Sequence, residues 1–161
     1  MQTFLPEADF AETAKVLDRK RLMKQRIENL QILKSLAGLY PSGAWKNHPA
    51  VKMWVGHEDW LMLYNEAILK EVFLRGYKDN TYVEFDQVYQ DNYMTLESEK
   101  PWWLGDDNLH YTHKGRLFEK DPEHYYFYSG YSDYKEMNYT CCSQCNYYWP
   151  VVGHAIIKEN M

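Results

Sequence analysis

Apolar residues recur at helical spacing through the first quarter of the chain, at Phe10, Ala14, Leu17, Ile27, Leu30, Leu33 and Ala37. Between Asp18 and Arg21 that period gives way to charge, so a bend or break is expected there. Asp9 stands ahead of the run where an N-cap belongs, and Glu12 three positions on completes the pattern of a capping box. Residues 1–8 read as extended, because Pro6 biases Leu5 away from helix. Gly38 fits a helix stop, and Leu39 to Asn47 (LYPSGAWKN) carries the turn residues of a loop.

A second helical region is predicted from His48 to about Arg75, with Pro49 where a first-turn proline is tolerated. Val51, Trp54, Leu61, Tyr64, Ile68 and Val72 supply its buried stripe. Gly56 is expected to split off a short first helix, and Gly76 to end the second in a left-handed cap. The acidic stretch 77–100 reads as turns with one short helix. Asp106 or Asp107 can cap a further helix to about Glu119, with His110, His113 and Lys114 forming its polar face and Leu117 behind them. The remainder, 126–161, is aromatic and irregular. No β pattern rises above short runs, and no repeat or linker divides the chain. An all-α fold in a single domain over residues 1–161 is expected.

Composition adds three constraints. With 45% apolar and 17% aromatic residues, the 161-residue chain is ordered protein with enough material for a core. No apolar run is long enough to span a membrane, and MQTFLPEADF lacks the basic-then-apolar order of a secretory signal. Three cysteines, all near the C-terminus, make no disulfide framework; a reducing, cytoplasmic location is expected. Net charge is −5, but the average hides an asymmetry. Residues 1–57 hold nine Lys/Arg against five Asp/Glu, whereas residues 58–161 hold nine against eighteen. A basic N-terminal third on an acidic body can still dock a polyanion locally.

That basic third centres on Leu17 to Leu36 (LDRKRLMKQRIENLQILKSL). Wound as a helix, it puts Arg21, Lys24, Gln25 and Glu28 on one face and Ile27, Leu30 and Leu33 largely on another. A carboxylate in such a cationic field keeps its charge and can serve as a general base or stabilise a cation beside gripped phosphates. The same pattern also serves a solvated helix face laced with charge pairs. Elsewhere, Cys142-x-x-Cys145 with Cys141 and His154 is a poor zinc set, lacking a second close pair. His110-x-x-His113 suits a structural role, phosphate contact or a metal, and no HExxH glutamate accompanies it. There is no glycine-rich phosphate loop, GxSxG elbow or dinucleotide fingerprint.

MQTFLP, LDRKRLMKQRIENLQIL, WKNHPAVKMWVGH, RGY, HYTHKGRLFEKDPEHY and YWP, taken in order, give a chain that resembles the pyrimidine-dimer DNA glycosylases of the endonuclease V type, known from bacteria and phages. The resemblance spans most of the chain and lapses in 77–100 and 129–146. It implies a compact helical fold with the N-terminal segment threaded at the active site. It also implies a monomer acting without metal or cofactor on double-stranded DNA that carries a lesion. The family flips a nucleotide out of the duplex, attacks its sugar with the chain's own α-amine, and nicks the strand through a Schiff base.

Carried over, the essential glutamate is Glu28, and the nucleophile position falls on Met1. The best-known members expose a small residue after losing methionine; here residue 2 is the bulky Gln2, so a retained Met1 amine is expected, with a monofunctional reaction through activated water as the alternative. An α-amine keeps a larger neutral fraction at pH 7 than a lysine does. Arg21, Lys24 and Arg26 would hold phosphates, and Gln25 would reach a base or sugar edge. Asn47 and His48 resemble the second DNA-facing corner, or serve as caps. His113, Arg116 and Lys120 are further phosphate candidates; Tyr148 and Trp149 would either stack beside the lesion or pack in the core. Three alternatives stand beside this reading: the same chemistry on another modified base, a non-catalytic DNA- or protein-binding relative, and a small zinc-stabilised interaction protein.

Overall fold

A computed structural model of the chain describes residues 1–136, 139–140, 148–150 and 156–157. The chain divides into two compact units, one formed by Met1–Thr3 with Asp9–Pro101 and the other by Phe4–Ala8 with Trp102–Met161. The fold is all-α; besides helices, the described residues hold one two-residue antiparallel pairing, Tyr139–Thr140 with Ile156–Ile157. None of its helices is long and apolar enough to cross a membrane, among the described residues.

In the first unit, Asp9 caps α1 (Phe10–Val16) by accepting from the Glu12 N–H at 2.9 Å. The break falls at Leu17 and Asp18, both extended, at the front edge of the Asp18–Arg21 stretch where it is expected, and α2 (Arg19–Leu36) already holds Arg19 to Arg21. Leu17 is fully buried there, so the break turns its side chain into the core instead of interrupting the packing. Past the end of α2, Gly38 takes φ +72, and the Leu39 and Gly38 N–H groups close back on Lys34 and Ser35. That double closure satisfies carbonyls the helix end would otherwise orphan. His48 caps the short α3 (Pro49–Lys52), Gly56 turns at φ +79, and α4 (Glu58–Leu74) closes in the same manner at Gly76.

The stripe from Val51 to Val72 is buried as expected. Trp54 and Tyr64 stack with ring centres 5.7 Å apart, and Phe10 packs against both. Both α1 and α2 lie on α4. The face that α2 buries differs from the one its apolar spacing predicts. Leu22, Gln25, Glu28, Asn29, Ile32 and Leu33 point inward, Leu30 is half-buried, and Ile27 is 42% exposed. Leaving one isoleucine on the surface costs little, whereas the inward amides gain hydrogen bonds that offset their desolvation. The acidic stretch forms a full helix, α5 (Tyr82–Tyr93), with Phe85 and Val88 buried. Asp79 anchors its start, accepting from Thr81, the Tyr82 N–H and Arg26. Burial pushes the Asp79 carboxyl up, but those hydrogen bonds outweigh it and hold it below its ordinary value.

In the second unit, Asp106 caps α6 (Asp107–Lys120) through the Asn108 and Leu109 N–H groups. Two 3-10 helices follow, Tyr126–Tyr131 and Tyr134–Glu136. His110 and His113 face the interior with Leu109, Thr112 and Leu117, which corrects the expectation that they form a polar face. They are drawn inward by residues 4–8, which pair with no strand among the described residues and whose buried peptide groups need partners. The Leu5 N–H donates to His113 Nδ1 at 3.0 Å. His110 Nε2 accepts from the Gly105 N–H at 2.9 Å, so Nδ1 carries the proton and donates to the Leu5 carbonyl at 2.8 Å. Tyr148 and Trp149 are buried too, Tyr148 through its N–H on Thr112 Oγ1 and Trp149 edge-on to the His113 ring.

Two stability predictions follow from this packing. A Cβ added to Gly115 would overlap the Tyr131 carbonyl oxygen and the Tyr134 ring. Gly115→Ala is therefore expected to lower stability by about 1–3 kcal/mol, read as a fall in Tm; an unchanged Tm would contradict the close approach. Burial, with minor contributions from His110 and Lys120, lowers the His113 pKa from 6.5 to about 3. The unfolded chain thus takes up a proton that the folded chain refuses. The stability involved is full above pH 6.5 and is lost as pH falls toward 3, by up to about 1.4 kcal/mol per pH unit. Urea unfolding between pH 4.5 and 7.5 should show a shallower acid limb for His113→Gln than for the wild type, and parallel curves would refute this.

Candidate active site

The first unit brings residue 1 to the middle of α2. The Met1 nitrogen stands 4.0 Å from Glu28 Oε1, and Lys24 Nζ lies 3.8 Å from the same oxygen. The Glu28 side chain is buried, as is that of Met1, whereas Lys24 is 61% exposed. One carboxylate is thus flanked by a main-chain amine and by a lysine at the surface. At these separations the charges attract, but the amine and that carboxylate oxygen are too far apart for a hydrogen bond. Beneath them the Tyr64 hydroxyl is pushed well above its ordinary pKa, first by burial and then by the charge of Glu28, so it stays a neutral phenol.

Residue 1 is held there through its neighbours. Gln25 Nε2 donates to the Gln2 carbonyl at 3.0 Å. Thr3 Oγ1 donates to the Ala50 carbonyl at 3.1 Å and accepts from Trp54 Nε1 at 3.2 Å. Gln25 also donates to Asn29 Oδ1 at 2.8 Å, and Asn29 donates to Asn65 Oδ1 at 3.2 Å. Thr3, Gln25, Asn29 and Asn65 are all buried. A neutral amine set beside a carboxylate has the parts for nucleophilic attack on an electrophilic carbon with proton transfer at hand.

The other residues singled out from the sequence are placed unevenly. Met1, Lys24 and Glu28 lie close together. Gln25 is corrected: it is fully buried on the Gln2 carbonyl and presents nothing to a base or sugar edge. Arg26 is corrected too, because its guanidinium is spent on Asp79 and Asn80, each at 2.9 Å, with the Asp79 side chain buried. Arg21 pairs with Asp18 at 3.1 Å and is mostly covered. Asn47 is exposed in the loop, while the His48 ring caps α3 by accepting from the Ala50 N–H at 3.1 Å.

In the second unit, His113 has no surface to offer a phosphate, and Tyr148 and Trp149 pack in the core, which removes all three from a DNA-facing role. Arg116 pairs with Glu119 at 3.0 Å, and Lys120 is exposed with its amine over the Phe4 ring. Cys141, Cys142, Cys145 and His154 lie outside the described residues. Among those described, no group of three or more His, Cys, Asp or Glu side chains is arranged to hold a metal ion. The sequence reading missed Thr3, Asn29, Trp54 and Asn65 as the holders of the N-terminal segment. A signal existed: Asn65 interrupts the apolar stripe of α4 between Leu61 and Ile68, and Gln25 and Asn29 are amides one helical turn apart.

A family model described as pyrimidine dimer DNA glycosylase matches residues 1–85. The matched stretch is more than half of the chain and holds Met1, the whole of α2 and Asn65. No curated protein and no solved structure matches the chain.

Proposed function

The chain belongs to the pyrimidine dimer DNA glycosylase family, and from that premise we propose that it excises damaged or modified pyrimidines from duplex DNA and then cleaves the strand, with the Met1 amine as nucleophile. One observation carries the reading beyond the family: the residue-1 nitrogen lies 4.0 Å from the α2 glutamate. A lesion that weakens stacking lowers the cost of flipping its nucleotide, which gives the selection for damage. The neutral amine attacks C1′, and the glycosidic bond breaks with its electron pair leaving on the base. The new secondary amine passes a proton to Glu28, the C1′–O4′ bond opens, and an iminium forms. Glu28 delivers a proton to O4′ and its charge then stabilises the iminium. Loss of a proton from C2′ expels the 3′ phosphate, and water releases the enzyme by hydrolysing the iminium. Lys24, exposed beside Glu28, supplies a cation for the flanking phosphate.

Retention of Met1 is part of this proposal. Its loss would withdraw the amine from Glu28 and leave a terminal glutamine free to cyclise. Borohydride trapping on UV-irradiated and on abasic duplex DNA, with the intact mass of the same protein, is the direct test. The expected result is a covalent adduct that maps to residue 1. Glu28→Gln is expected to slow cleavage by roughly 10²–10⁴-fold while DNA binding changes little. An adduct on abasic DNA alone would keep the lyase and discard the dimer as substrate. No adduct with any of these DNAs, on protein with a free N-terminus, would overturn the amine mechanism.

A further inference from the structure

The chemistry just described uses the amine and the glutamate but leaves three buried amides unexplained. Gln25, Asn29 and Asn65 form a hydrogen-bonded file running from the Gln2 carbonyl into α4. Its direction follows from donor and acceptor chemistry. A main-chain carbonyl only accepts, so Gln25 must face it with Nε2. The second hydrogen on Nε2 then goes to Asn29 Oδ1, which turns Asn29 Nδ2 toward Asn65 Oδ1. The orientation of all three side chains is therefore consistent with one main-chain atom at residue 2. An apolar trio would fill the same space without three amides to desolvate, so a file of this kind calls for a use beyond packing.

We propose that Gln25, Asn29 and Asn65 are positioning residues for the N-terminal amine. The proposal rests on the reading of that amine as the nucleophile. Gln25 fixes the carbonyl of residue 2, and Thr3 is fixed separately by Ala50 and Trp54. With both points held, the only part of the segment left to aim is residue 1. Gln25 and Glu28 stand three residues apart on α2, so the group that holds the segment and the acid that meets its amine share one rigid element. Asn29 and Asn65 then tie that face of α2 to α4, which fixes its rotation. Such a device acts on the rate of attack, since reacting atoms misplaced by about 1 Å can lose on the order of 10²-fold. It leaves affinity for DNA untouched, because none of the three side chains reaches the surface.

The test is single-turnover borohydride trapping on saturating abasic duplex, with DNA affinity and Tm measured on the same preparations. Gln25→Met keeps the length and removes the donors; it is expected to trap roughly 10–100-fold more slowly with affinity unchanged. Asn65→Ala, which cuts the far end of the file, should show a smaller loss of the same kind. Ile68→Val perturbs the same core without touching the file and should trap at the wild-type rate despite a lower Tm. Wild-type trapping by a folded Gln25→Met would overturn the positioning role and leave the nucleophile in place. Should Gln25→Met not fold, wild-type trapping by Asn65→Ala does the same. Slow trapping by Ile68→Val would also overturn it, by tracing the effect to stability alone. No adduct from the wild-type protein would remove the nucleophile and this proposal together.

Discussion

An extended segment that belongs to no sheet has peptide groups on both edges and no neighbouring strand to serve them. Residues 1–5 pair with no strand among the described residues, and the protein answers with side chains. In the first unit, Gln25 takes the Gln2 carbonyl; in the second, His110 and His113 take both polar groups of Leu5. Much of what is unusual in the structure follows from this need. It explains why α2 turns amides inward and leaves Ile27 out, and why two histidines of α6 lie in a core. Polar residues in these places are the substitute for a missing strand.

The same solution creates a chemically loaded interior. Once Gln2 and Thr3 are gripped, the terminal amine is carried to Glu28 and into a setting where Tyr64 is held neutral. Burial of Glu28 strengthens its charge interactions and makes any unmet one expensive. The requirement that each buried polar group be met keeps the geometry there narrow.

Element ends were legible in the sequence because they depend on local backbone demands. Asp9, Gly38, Pro49, Gly56, Gly76 and Asp106 each act within a few residues of themselves, and each ends or starts a helix where its chemistry requires. Faces were less legible. The inward turn of Gln25 and Asn29 depends on Gln2 and Asn65, and the capture of Arg26 depends on Asp79, 53 residues away. A cation that looks available for phosphate is indistinguishable, in sequence, from one destined for a buried carboxylate. Glu28 was singled out for a different reason: KQRIEN sits within a stretch whose resemblance to a family leads one to expect a role for that glutamate before any geometry is seen.

The atom that faces Glu28 belongs to the main chain, and this has a practical consequence. Any residue fused ahead of Met1, an affinity tag included, turns that amine into a peptide nitrogen, whose lone pair is delocalised into the carbonyl and which carries no charge to set against Glu28. A tag at the other end of the chain leaves the pair as it stands.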